Sequence, residues 1–157
     1  MNVPLKSCEI LIEVTSKTAK TQLTQVFVNT TANPLECKYE FPNDPETAIV
    51  DLKIKIGDEE IESELMPKER ASEKYSDSIA QGNSAFKLGN KENSSDLVLY
   101  LGMIQPSTSV QIVITTVMRL KVFRNASILQ FPMDLLPQGL KSISSFVVNI
   151  EQANGVK

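Results

Sequence analysis

The side chains with reactive chemistry in this sequence are nineteen Asp and Glu, sixteen Lys and Arg, and two Cys, with no histidine. Without histidine the chain lacks the usual general base at neutral pH, the commonest zinc ligand and the usual partner of a Ser or Cys nucleophile. A pair of carboxylates could still do acid-base work if two converged on one bond. Glu60, Glu62 and Glu64, however, alternate with Ile61, Ser63 and Leu65, which places the acids on the wet face of a strand. A phosphate-cradling loop needs G-x-x-x-x-G-K-[ST], and Gly82, Gly89 and the lysines around them do not match it. The expectation is a non-enzyme with no catalytic residue, no cofactor and no metal site. Cys8 and Cys37 lack metal-ligand spacing and could form a single bridge; free, buried thiols are the expectation, because a domain of this length stands without a staple. Asn29, Asn93 and Asn125 each open an N-x-S/T triplet, an acceptor only in a secreted protein, and chance accounts for such triplets in a chain rich in Asn, Ser and Thr.

The elements that would position these groups follow from length and patterning. With 157 residues, 41% of them hydrophobic, the chain can bury one compact core. A net charge of -3 leaves no basic excess to displace counterions from a phosphate backbone, so nucleic acid is not an expected partner. The longest apolar run, Leu97 to Leu101, ends at Gly102, far short of the roughly 20 residues of a membrane helix. Met1 to Lys6 lacks the cationic and apolar segments of a secretory signal, so a cytoplasmic location is expected and membrane insertion is not.

Alternation with period two dominates, the mark of half-buried strands. Cys8, Ile10, Ile12 and Val14 share one face; Val26 and Val28 follow in a second strand that ends in the turn-prone residues 29–34. Leu35, Cys37, Tyr39 and Phe41 alternate with charged residues until Pro42 and the Asn43-Asp44-Pro45 cluster. Val50, Leu52, Ile54 and Ile56, the turn Gly57-Asp58, then Ile61, Ser63 and Leu65 predict a β-hairpin. Leu97, Leu99, Leu101 and Met103 reverse at Gln105-Pro106-Ser107-Thr108 into Val110, Ile112, Ile114 and Met118. Ile128 to Phe131 is strand-like, Met133 to Ser145 a connector, and Phe146, Val148 and Ile150 a last strand. Lys87 to Asp96 is polar and is expected to be an exposed loop. This is a mainly β chain, an antiparallel β-sandwich with one or two short α-helices.

One segment breaks the alternation. Ala71, Tyr75 and Ile79 recur every four residues, Pro67 suits a first helical turn and Gly82 a left-handed cap, which predicts a helix over about 67–81. Its apolar stripe is narrow, so the helix is expected at the sandwich edge or rim. Ala71, Tyr75 and then Gln81-Gly82-Asn83-Ser84-Ala85 resemble the A-x-x-x-Y-x-x-A-x-x-x-G-H-S-A signature of the vault protein inter-alpha-trypsin (VIT) domain family. Val3 to Ser7 resembles that family's opening, Phe27-Val28-Asn29 its second strand, Tyr39-Glu40-Phe41-Pro42 its F-x-F-P strand end, Ile56 to Ile61 its hairpin, and Gly102 to Pro106 with Val110 its G-x-I-x-P-G-x-x-V segment. Asn83 stands for the family histidine, Ser78 for the helix alanine, Ser107 or its neighbour for the glycine after the proline and Thr116 for a late aromatic.

The resemblance covers roughly Val3 to Pro132 and implies a VIT core over 1–132, with 133–157 as connector and final strand of the same domain, expected to be part of a longer chain. It further implies a non-catalytic interaction or scaffold module that packs on a neighbouring von Willebrand factor A domain or an assembly partner. The metal motif of such A domains, Asp-x-Ser-x-Ser, does not occur here. The alternative implied is a secreted matrix component resembling inter-alpha-trypsin inhibitor heavy chains. Ala71, Tyr75, Gly82, Ser84, Ala85, Phe41, Pro42 and Pro106 are expected to serve packing. Lys68, Glu69, Arg70, Glu73, Lys74, Gln81 and Asn83 form the candidate protein-docking surface.

Overall fold

The computed structural model describes residues 3–41, 44–61, 68–90, 96–124, 126–136, 140 and 142–151. Pro42, residues 62–67, Asn93 and Asn125 of the expectations above lie outside them, as do Pro137, Gly139 and Lys157. In chain order the elements are β1 (Leu5–Thr15), β2 (Thr18–Val28), β3 (Leu35–Phe41), β4 (Thr47–Ile56), β5 (Glu59–Ile61), α1 (Lys68–Ala80), β6 (Ala85–Asn90), β7 (Leu97–Ile104), β8 (Ser109–Arg119), β9 (Lys121–Phe123), β10 (Ala126–Ile128), a 3-10 turn (Met133–Leu135) and β11 (Ser145–Glu151). A six-stranded sheet runs β11-β1-β2-β8-β4-β5, a three-stranded sheet β3-β7-β6, and β9 with β10 form a separate hairpin. The fold is mainly β, as the alternation requires, with one described α-helix. All pairings are antiparallel except β1 with β11, which run parallel in the register Ile10↔Phe146 to Val14↔Ile150.

Two apolar clusters fill the interior. Phe27, Ile54, Ile56, Val110, Ile112 and Ile114 of the large sheet meet Tyr39, Phe41, Leu99, Leu101 and Ile104 of the small one. Cys8, Ile10, Ile12, Val14, Ala19 and Leu23 are covered instead by Leu120, Leu135 and the half-buried Leu129, Phe131, Leu136 and Leu140. The chain after β8 thus roofs the half of the large sheet that the small sheet does not reach. Each fully buried Leu, Ile or Phe contributes about 1.5–3 kcal/mol relative to an exposed one.

Several expectations need correction. In β2 the buried face is Ala19, Thr21, Leu23, Gln25 and Phe27, while Val26 and Val28 are only half-buried on the other side. In β4 the register shifts between Ile49 and Asp51, and the extra residue turns Val50 outward, 57% exposed, while Leu52, Ile54 and Ile56 still face inward. Lys87 to Asn90 is not loop: it is the last four residues of β6, paired to β7 from Ala85↔Gly102 to Asn90↔Leu97. Of the strand-like segment 128–131 only Ile128 pairs, as the last residue of β10, and Leu129 and Phe131 fold down onto the second cluster. The helix does not sit at the rim but lies against the outer face of the small sheet, over β6 and β7.

Candidate docking surface

The helix is held to the sheet by a few specific contacts. Gly102 of β7 has no side chain, and a methyl group there would collide with the Ile79 side chain and meet the Tyr75 hydroxyl at 2.6 Å. The close approach of α1 therefore depends on Gly102, at a bulge where β7 gains a residue over β3 and Met103 takes a φ of 54°. Lys87 of β6 threads between rings, its Nζ 5.5 Å from the Tyr75 centroid and 5.0 Å from that of Tyr100, and reaches the Ser72 hydroxyl at 3.4 Å. Burial in this contact pushes the Tyr75 phenol above its ordinary pKa. Gly82, at φ 78°, ends the helix in a Schellman motif: its amide donates to the Ile79 carbonyl and the Asn83 amide to that of Ser78, both at 2.9 Å. The Ser84 hydroxyl then donates to the Met103 carbonyl at 2.9 Å, and Ala85 is buried opposite Gly102.

The expected polar docking residues fall beside these contacts. Arg70, Glu73, Lys74, Gln81 and Asn83 are exposed, and Asn83 Nδ2 donates to Gln81 Oε1 at 3.5 Å. Lys68 and Glu69 open the helix, with only their backbone described. Arg70 and Lys74 against Glu73 give a mixed, solvated surface with no apolar anchor among them.

A second surface carries what the first lacks. Val122, Phe123 and Ile128 on the β9–β10 hairpin, Met133, Ile143, and Phe146, Val147, Val148 and Ile150 on β11 are all more than a third exposed. Phe123 reaches 60%, with the Arg124 guanidinium 5.1 Å from its ring centre. The hairpin is rooted where Leu120 and Leu129 enter the second cluster, Lys121 pairs with Glu46 at 2.7 Å, and Phe131 packs edge-on to Phe146 at 6.1 Å. Among the described residues β11 is an edge strand, bonded to β1 on one side only, and every residue in it is exposed. The alternation in Phe146, Val148 and Ile150 was visible in the sequence; their exposure was not, because a strand pattern does not say whether a second layer covers it.

No cluster of metal-ligating residues occurs among the described residues, and no described helix is long and apolar enough to cross a membrane. Cys8 and Cys37 are both free thiols. Burial raises the pKa of each, that of Cys37 to about 11. Tyr39 lies in the core with its hydroxyl donating to the Leu135 carbonyl at 3.3 Å, and burial lifts its phenol far above the ordinary range.

The sequence model of the vault protein inter-alpha-trypsin domain matches residues 5–116. The chain belongs to the VIT domain family. It is similar to von Willebrand factor A domain-containing protein 5A of Rattus norvegicus, 29% identical over 75% of this chain and 14% of that protein. A von Willebrand factor A domain-containing protein of Dictyostelium discoideum is 31% identical over 69% of this chain and 12% of its own length. Protein mono-ADP-ribosyltransferase PARP4 of Homo sapiens is 26% identical over 86% of this chain and 8% of its own. The chain therefore spans only about one seventh of the length of these relatives, or less.

Within this VIT domain the resemblance motif falls on structural contacts. Tyr75 and Gly82 seat and end the helix, Ser84 and Ala85 tie its exit to β7, and Phe41 is buried beside Tyr39 with ring centres 5.3 Å apart. Pro106 leads a turn closed by the Thr108 amide on the Gln105 carbonyl, and Ser107 carries the φ of 61° for which the family pattern has glycine. The packing role of Gly102 has one signal in the sequence, its place on the outer face of a strand whose neighbours are large.

Proposed function

We propose that this VIT domain is a non-catalytic docking module that packs against a von Willebrand factor A domain of its own parent protein, through β11 and the β9–β10 hairpin. The observation that carries this reading is the concentration of exposed apolar side chains in residues 122–150. A monomeric domain rarely leaves such a surface open, and proteins normally blunt edge strands with charge, proline or a bulge. β11 has none of these before Glu151: Ser145-Phe146-Val147-Val148-Asn149-Ile150 is neutral and unbulged, with Phe146, Val148 and Ile150 on one face and Val147 on the other. The names of two relatives supply the occupant, since they are proteins that contain von Willebrand factor A domains. The helix surface is the weaker contender, because exposed ion pairs contribute about 0–1 kcal/mol each and interface energy resides mainly in buried aromatic and apolar anchors.

The test uses the full-length parent protein. Phe123→Asp combined with Val147→Asp is expected to separate the unfolding transitions of the two domains and to open the junction to protease. Arg70→Glu combined with Glu73→Lys is expected to leave them coupled. The reverse pattern would move the interface to the helix, and coupling untouched by either pair would refute docking at both surfaces.

A further inference from the structure

Asn29-Thr30-Thr31 has the form of a carbohydrate acceptor, and the fold puts its asparagine to another use. The Asn29 side chain is fully buried, 0% exposed. Its Nδ2 donates to the Ile104 carbonyl at 2.8 Å and to the Asn33 carbonyl at 2.9 Å. Its Oδ1 accepts from the Thr31 amide at 2.9 Å and the Thr31 hydroxyl at 2.8 Å. The backbone is engaged as well, the Asn29 amide donating to the Thr108 carbonyl at 3.0 Å and the Ser107 amide to the Asn29 carbonyl at 2.8 Å. One residue thus ties the end of β2 to the end of β7 and to the turn between β7 and β8.

N-glycosylation forms a bond from Nδ2 to the anomeric carbon of a sugar, breaks that carbon's bond to a lipid-linked pyrophosphate, and releases one amide proton. Both Nδ2 hydrogens are already committed to buried or part-buried carbonyls, so the reaction would remove one of these bonds and place a large hydrophilic group where no solvent reaches. A chain glycosylated at Asn29 before folding could not close the β2–β7 junction.

We propose that Asn29 is a structural tie whose glycosylation the folded state cannot accommodate, and that this chain is accordingly built for a compartment without oligosaccharyl transfer, the cytosolic side of the cell. The two free thiols fit that setting, since Cys8 and Cys37 persist unpaired in a reducing compartment. The inference is independent of which surface docks a partner, and it opposes the secreted-matrix alternative.

The test compares the chain expressed in the cytosol of human cells with the same chain carrying a secretory leader. Each is divided into protease-resistant and protease-sensitive pools, and site-resolved mass spectrometry separates Asn29 from Asn93 and Asn125. The cytosolic chain is expected to be resistant. The secretory chain is expected to lose resistance and to carry glycan at Asn29 in its sensitive pool, and inhibiting the oligosaccharyltransferase is expected to restore resistance. Glycan on Asn29 within the resistant pool, or a secretory chain that folds with Asn29 bare and no inhibitor, overturns the proposal.

Discussion

Replacing Asn29 by Ala measures how much of the fold hangs on that one amide. The substitution deletes four side-chain hydrogen bonds, two donated and two accepted. The bond to Ile104 is the expensive one, because it is buried and leaves a carbonyl in the core, where an unpaired group costs about 1–3 kcal/mol. The part-buried bonds to Asn33 and to the Thr31 amide add roughly 0.5–1 kcal/mol each, for a total near 3 kcal/mol. That is a large share of the roughly 5–15 kcal/mol of a typical domain, and at about 2–4 °C per kcal/mol it lowers the melting temperature by roughly 6–12 °C. Urea denaturation with an unchanged m-value is the assay. Asn33→Ala is the internal control: Asn33 enters the network as an acceptor through its backbone carbonyl, so its truncation should stay within about 0.5 kcal/mol of the parent. An Asn29→Ala variant that loses less than about 1 kcal/mol, or an Asn33→Ala variant that loses as much, would refute the reasoning, since each net bond is worth about that much.

Other outcomes follow from the helix contact, the β7–β8 turn and the thiols. Gly102→Ala is expected to cost about 1–2 kcal/mol by pushing Ile79 and Tyr75 off β7, and a double-mutant cycle with Ile79→Ala should recover part of that cost; strict additivity would mean that the two do not touch. Ser107→Gly should stabilise by about 0.5–1 kcal/mol in the same urea assay, because Ser107 occupies a left-handed conformation that glycine adopts freely. Cys37, with its thiol pushed up to about 11 from an ordinary 9.0, should alkylate at pH 8 roughly 100-fold more slowly than a cysteine peptide, with the rate climbing only as pH approaches 11; peptide-like rates in a mass-spectrometric time course would contradict the burial.

How far the sequence is legible depends on whether polarity follows geometry strand by strand. In β1 the inward residues Cys8, Ile10, Ile12 and Val14 are all apolar, so period two identifies the face without help. In β2 the inward set includes Thr21 and Gln25 while Val26 and Val28 lie on the other side, and the pattern points to the wrong face. Gln25 is fully buried, and among the described residues neither of its amide atoms meets the geometry of a hydrogen bond, an arrangement that propensity rules do not anticipate. A bulge does the same to β4: Val50 continues the alternation in sequence and departs from it in space, because a one-residue shift exchanges the faces. The strand β6 was hidden by the lysine, glycine and asparagine of Lys87-Leu88-Gly89-Asn90, which pair with β7, the next strand in the chain, beneath the helix laid over Lys87.

The motif that makes the family recognisable and the surface proposed to dock a partner lie on different parts of this domain, and the chemistry of each explains the separation. A motif of small residues, one aromatic and a glycine cap solves a packing problem: α1 must approach β7 closely over Gly102, leave through Gly82, and be tied down by Ser84 at the Met103 bulge. Such residues are consumed by their contacts and have little left to offer another protein. Recognition needs apolar side chains that the fold does not itself cover, and these gather on β11 and the hairpin, where the roof over the second cluster ends and the sheet edge is left bare. A variant that loosens the motif, such as Gly102→Ala, should therefore lower stability while leaving partner affinity per folded molecule intact, and one at Phe123 should do the opposite.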